Sequence, residues 1–335
     1  MRPEPVTTNP LNAHTPAAAL RDRLTPASAF YVRSHFAAPK LDPGTWRLRL
    51  PDRALSLSEL RAMPQRSLDV VLECAGNGRT RMSPVPPGTP WGERAVACGR
   101  FEGVPLRELL SPPADATEIV FEGADEGEKN GERMRYARSL PVAEAMRPDV
   151  LVALSLDGAP LALDHGAPAR LVVPGWYGMA SVKWLVDVRA TREPFAGHFQ
   201  ASDYWVRRSR DGEPDAPLSA MRVKSLVVAP GEGERLRAGE PTEVWGWAWS
   251  GAGPIHAVEV SRDGGRAWHA ATLERPASPY AWTRWSLAWT PQTRGRVTLL
   301  SRATDAAGHA QPLETPWNAQ GYGNNECGHA TVEVG

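Results

Sequence analysis

Residues 69–81 read Asp-Val-Val-Leu-Glu-Cys-Ala-Gly-Asn-Gly-Arg-Thr-Arg. The apolar run 68–72 predicts a buried strand, and it delivers one cysteine, Cys74, to a loop holding Gly76, Asn77 and Gly78. Arg79 and Arg81 follow at once. A thiolate is a soft metal ligand and a nucleophile, and nearby positive charge lowers its pKa. The stretch therefore has the chemistry of a metal ligand beside an anion site. A buried strand cysteine followed by a solvated turn is an equal reading of these residues alone.

Working outward, residues 46–50 alternate as a strand, and residues 56–63 read as a short helix. Ser58 stands at the N-cap or first turn of that helix, and Pro64 stops it. Residues 104–110 read as a helix opened near Pro105, and residues 141–147 as another that ends before Pro148. Residues 118–122, 151–156, 170–173 and 182–188 carry strand patterns. Residues 1–29 are polar and proline-rich and predict an irregular arm. Short strands and helices without regular βαβ spacing favour an α+β domain over a doubly wound sheet.

The composition shifts at residues 209–217, a turn-rich linker candidate. Beyond it, Trp245, Trp247 and Trp249 alternate with Val244, Gly246 and Ala248. Residues 258–262 and 267–273 flank Asp263-Gly264-Gly265 as a hairpin. Residues 282–289 and 296–303 add two more strands. Even spacing of short strands predicts an all-β immunoglobulin-like sandwich, without the Cys…Trp…Cys pattern of a disulfide-linked one. The expected domains are 1–215 and 216–335.

The chain has 335 residues, formal net charge zero, 42% hydrophobic and 23% charged residues. That balance fits two globular domains and argues against a nucleic-acid partner, which a basic surplus would mark. Three cysteines without C-x-x-C or C-x-x-C-H spacing argue against a disulfide framework, a zinc knuckle and attached haem. No apolar run reaches the roughly 18 residues of a membrane span. The sequence starting Met-Arg-Pro-Glu-Pro-Val has neither an apolar signal core nor twin arginines. This predicts a cytoplasmic protein, or a periplasmic one if a leader has been trimmed.

Four further groups bear on chemistry. In Phe30-Tyr31-Val32-Arg33-Ser34-His35, a strand would put Arg33 and His35 on one face, able to hold an oxyanion; a solvated strand edge is the plainer reading. Asp164-His165-Gly166-Ala-Pro-Ala-Arg170 and Ser181-Val182-Lys183-Trp184 set basic groups among Gly and Pro, which let a ligand approach the backbone. Taken alone, each residue reads more readily as a surface charge or a satisfied core histidine. Asp203-Tyr204-Trp205 supplies a hydroxyl that can donate to an oxyanion; alone, a packed aromatic near the domain junction is the plainer reading. No phosphate-loop or dinucleotide fingerprint is present.

Taken together, these residues resemble the molybdenum-cofactor domain of the sulfite oxidase family, which includes the molybdenum domain of eukaryotic nitrate reductases. The likeness rests on Phe-Tyr-Val-Arg-Ser-His, Leu-Glu-Cys-Ala-Gly-Asn-Gly-Arg, Phe-Glu-Gly-Ala-Asp at 121–125, Asp-His-Gly-Ala-Pro-Ala-Arg and Ser-Val-Lys-Trp, in the family's order. The Trp-rich strands, the Asp-Gly-Gly turn and Gly321-Tyr-Gly-Asn-Asn325 are similar to the family's dimerisation domain.

The resemblance implies a molybdenum–molybdopterin cofactor with Cys74 as metal ligand. Tyr31, Val32, Arg33, Ser34, His35, Asp125, His165, Arg170, Ser181, Val182 and Lys183 are implied to bind the cofactor, and Arg33, Arg79 and Tyr204 to act on the substrate. It implies oxygen-atom transfer, with sulfite oxidised to sulfate, electrons passed to a separate acceptor such as a cytochrome, and a homodimer. Reduction of nitrate or a sulfoxide at the same metal, or a cofactor-free scaffold, are the alternatives. Three positions depart from the family pattern: Ser34 replaces its asparagine, Gly78 an arginine of the animal enzymes, and Phe101 a frequent tryptophan.

Overall fold

The computed structural model describes residues 1–207 and 215–335. It divides into two compact units: Met1–Ser219 with Asn318–Tyr322, and Ala220–Trp317 with Gly323–Gly335. The linker stretch 209–214 lies outside the described residues. Ala216–Pro217, expected in that linker, instead pairs with Trp205–Val206 in the first unit. The short segment Asn318–Tyr322 likewise belongs to the first unit, not to the domain expected from residue 216 onward.

The first unit is built mainly from sheets, with three short α-helices. The α+β expectation therefore overstates its helix content. Prolines explain much of this. The apolar run 104–110 continues a strand, Val96–Pro105, and the chain then makes only a 3₁₀ turn at Leu106–Glu108. The helix at Leu57–Ala62 does form, capped by Ser56 rather than Ser58: Ser56 accepts from the Glu59 N–H while Glu59 accepts from the Ser56 N–H. Residues 1–29 are not wholly irregular, since Glu4–Thr8 and Leu11–His14 form a hairpin.

One antiparallel sheet runs Ala159–Pro160, Leu151–Leu156, Val96–Pro105, Arg66–Glu73, with Arg170–Val172 also paired to Leu151–Leu156. A mixed sheet runs Ala54–Ser56, Arg47–Arg49, Leu185–Thr191, Glu118–Lys129, Glu132–Pro141, and its single parallel pair joins Arg47–Arg49 to Leu185–Thr191. The long hairpin at its edge turns at Asn130-Gly131, both with positive φ, which matches the twist of the flanking strands.

The second unit holds a four-stranded sheet, Lys224–Ala229, Thr242–Trp249, Thr283–Trp289, Thr272–Leu273, and a five-stranded one centred on Gly295–Asp305. Both contribute to one apolar core: Val244, Ala248 and Trp285 from the first, Val258, Val260, Leu299, Ala303 and Val332 from the second. The alternation at residues 244–249 thus turns Val244 and Ala248 inward and leaves the tryptophans on the other face. The predicted hairpin forms in part: Ile255–Ser261 pairs with His269–Ala270, while Thr272–Leu273 crosses to the other sheet. Among the described residues no helix is long and apolar enough to cross a membrane.

Candidate active site

Strand Arg66–Glu73 pairs in register with Val96–Pro105, and the ladder continues one step as the Cys74 N–H donates to Ala95 O at 2.9 Å. The chain then turns sharply, with the Asn77 N–H on Cys74 O at 2.9 Å. The Asn77 side chain locks that turn, donating to Glu73 at 3.0 Å and accepting from the Ala95 N–H at 2.9 Å. Gly78 follows at φ +84°, a conformation that penalises a residue with a Cβ. That is a local reason for glycine at this position.

Cys74 opens on a cavity whose empty space, open solvent at its mouth included, is about 650 Å³. Tyr31, Arg33, Ser34, His35, Asp125, His165, Arg170, Ser181, Lys183 and Tyr204 also line it. Eleven of the fourteen predicted site residues, Cys74 among them, thus share one cavity, although they come from distant parts of the chain. Burial pushes the Cys74 thiol up, against the pull of Arg33, the Gly76 N–H and Arg79. Binding to a metal deprotonates a thiol outright and removes that penalty.

Three predicted residues lie elsewhere. Val32 and Val182 are buried in the core, at 3% and 1% exposure; Val32 exchanges two backbone hydrogen bonds with Ala13, and Val182 O accepts from the Leu171 N–H. Arg79 sits behind the cavity wall. Its guanidinium donates to Gln320 O at 2.9 and 3.1 Å and to Thr89 O at 2.6 Å, and lies 5.3 Å from the Tyr322 ring centre. A Cβ on Gly76 would meet that guanidinium at 2.7 Å, so the loop glycine makes room for it. Arg79 acts on Cys74 by charge rather than by touching the cavity. The segment 30–35 is also not a strand; its one ladder contact is the Ala13–Val32 bridge.

The rim residues are tightly interlocked. Arg33 donates to Asn12 Oδ1 at 3.2 Å and lies 3.1 Å from both His35 ring nitrogens. A guanidinium only donates, so this contact requires a lone pair on the imidazole. Burial, then Arg33, Lys129, His198 and Lys183, push the His35 pKa far below its ordinary value, so the ring is neutral. His35 Nε2 and the Tyr204 hydroxyl share a hydrogen bond of 2.5 Å. Burial, reinforced by Tyr136, raises the Tyr204 pKa and keeps that hydroxyl protonated.

The floor is rich in cations. Arg170 donates to the carbonyls of Leu171 at 3.4 Å, His165 at 3.2 Å and Ser181 at 3.1 Å; burial lowers its pKa to about 10. Lys183 donates to Ser34 Oγ at 2.9 Å and Asp164 O at 2.7 Å, so Ser34 has found a contact of its own in place of the family's asparagine. Burial, then Arg170, lowers the Lys183 pKa to about 7. Burial raises Asp125 to about 7, against the pull of Lys183, and its Oδ1 has no hydrogen-bond partner among the described residues. His165 Nε2 is 3.2 Å from Ala27 O; donating there leaves Nδ1 as an acceptor, and burial pushes its pKa down to about 3.

These residues fit a molybdopterin. Among the described residues no group of three or more His, Cys, Asp or Glu is placed to hold a metal ion, so the protein offers the single sulfur of Cys74. A metal there needs donors that a cofactor brings, and soft sulfur donors suit it. Asp125 Oδ1 is an orphaned acceptor for ring N–H groups, and among the described residues neither Arg170 nor Lys183 forms an ion pair with a carboxylate, which leaves both to face a phosphate.

Sequence reasoning missed Asn12, Tyr136 and Arg138. Asn12 sits in the polar arm with no signal. The other two follow the Asn130-Gly131 turn, a hairpin signature that would have extended the strand to them.

Comparison with known proteins agrees with this geometry. Residues 35–199 match the oxidoreductase molybdopterin binding domain, and residues 216–334 the Mo-co oxidoreductase dimerisation domain. The chain is 34% identical to mitochondrial sulfite oxidase of Homo sapiens over 97% of its own length, and it spans 64% of that protein. It is 31% identical to nitrate reductase [NADH] 2 of Phaseolus vulgaris over 95% of its length, spanning 40% of that protein. The sulfane dehydrogenase SoxCD structure from Paracoccus pantotrophus superposes with a TM-score of 0.80 at 28% identity, over 98% of this chain and 88% of that one. The chain belongs to the sulfite oxidase family of molybdenum-cofactor oxidoreductases, with a molybdopterin-binding domain followed by the family's dimerisation domain.

Proposed function

We propose that the protein oxidises sulfite to sulfate by oxygen-atom transfer and passes the electrons to a separate acceptor such as a cytochrome. The observation that carries this reading is that a thiol, an arginine and a tyrosine hydroxyl face one cavity: Cys74, Arg33 and Tyr204. The bound cofactor supplies the molybdenum that exchanges an oxygen atom and two electrons with the substrate. Cys74, once deprotonated, would be the protein's ligand to that metal. Arg33 and Tyr204 bind and orient the anion, with neutral His35 fixing the Tyr204 hydroxyl. Asp125, His165, Arg170, Ser181 and Lys183 would hold the cofactor's polar and anionic groups, together with the cavity-lining residues of segment 31–35. The second unit is an immunoglobulin-like sandwich that joins two chains, so the full chain should sediment at twice 36.4 kDa.

The test is a substrate panel on molybdenum-loaded protein. Sulfite with ferricyanide should turn over, while nitrate or a sulfoxide with a reduced dye should not. The similarity to a plant nitrate reductase favours the reverse direction as the second reading. Reduction without sulfite oxidation would establish that reading instead.

A further inference from the structure

Arg138 is a buried cation beside the substrate tyrosine. It lies on Glu132–Pro141, is 3% exposed and donates through Nη1 to Phe199 O. Among the described residues its Nε has no hydrogen-bond partner. Among the described residues no carboxylate forms an ion pair with it; Asp203, whose charge reaches it, is paired with Lys129. Its guanidinium carbon lies 5.4 Å from the centre of the Tyr204 ring. Tyr322 stacks on the same ring at 5.3 Å and 20°, and His35 holds its hydroxyl.

A charge buried without a counter-ion is costly, and an apolar side chain of similar length is often neutral or stabilising in its place. A residue that weakens the fold at the edge of an active site points to a use there. Inside the protein its field is little screened by salt, and the cavity beside Tyr204 lies within its reach.

We propose that Arg138 is a positioning residue of the anion site: it holds the Tyr204 ring and maintains a positive field behind it, so that the cavity selects a doubly charged oxyanion over a singly charged one. This rests on the oxyanion-oxidising reading above. Arg138 does not line the cavity, and its effect passes through Tyr204 and through space.

The test compares native, Arg138→Met and Arg138→Lys chains, full length and molybdenum-loaded. It reads the sulfite KM and kcat, the binding of sulfate and nitrate by calorimetry, and the melting midpoint. In Arg138→Met the sulfite KM and the sulfate Kd should both rise about tenfold, the order expected of one charge acting without contact. Nitrate binding should weaken only about threefold, because the same field acts on half the charge; kcat should change less than about twofold, and the melting midpoint should hold or rise. Arg138→Lys should recover most of the affinity. An unchanged sulfate Kd, or an equal loss for nitrate, overturns the proposal. If Arg138→Met does not fold, Arg138→Gln against Arg138→Lys poses the same question, and equal sulfate affinities overturn it. A native protein that leaves sulfite untouched refutes the oxyanion-oxidising reading, while sulfate and nitrate binding still judge Arg138.

Discussion

His165 shows how one buried side chain sets a pH dependence. Burial, Lys183 and Arg170 push its pKa from 6.5 to about 3. Between those values the unfolded chain takes up a proton that the folded chain does not, so stability falls as pH falls through that window. The slope is at most about 1.4 kcal/mol per pH unit. In His165→Gln the urea midpoint should drop less between about pH 7 and about pH 4 than in the native chain. An equal drop in both would contradict a buried neutral imidazole. Residues of this kind were legible in the sequence because Gly, Pro and basic groups cluster in short stretches. Arg79 was legible as a charge but not as a position: its partner Gln320 lies 241 residues away, and no local pattern records such a contact. Val32 and Val182 were carried along by neighbours that do face the cavity.

At the scale of elements, the loop after Arg66–Glu73 decides where Cys74 points. Its Gly78 sits in the left-handed region at φ +84°. Gly78→Arg should lower stability by about 1–2 kcal/mol, the cost of a side chain in that conformation. Urea unfolding measures this, and an unchanged midpoint would mean that the loop relaxes without strain. Strands with apolar alternation were readable, as was the capped helix at Leu57–Ala62. The Glu132–Pro141 strand was not, because its first half alternates charged residues that pair across the hairpin, such as Arg133 with Glu126 and Arg135 with Glu122. The strand 96–105 was hidden by its glycines, Gly99 and Gly103. The latter packs so tightly that a Cβ there would lie 2.1 Å from Val152 O.

Across the whole molecule, the division into a cofactor-binding unit and an all-β unit followed from the shift in composition. The return of Asn318–Tyr322 to the first unit did not, because it depends on Gln320 and Tyr322 meeting Arg79 and Tyr204. Everything proposed for activity converges on the thiol that opens into the cavity. The measurement that bears on it most directly is X-ray absorption at the molybdenum K-edge of the loaded full-length chain, native and Cys74→Ser. The native centre should show one more sulfur neighbour than the variant, and the variant should stay folded by circular dichroism while losing turnover. A Cys74→Ser protein that keeps its molybdenum with the same number of sulfur neighbours, and still turns over, would contradict Cys74 as the ligand.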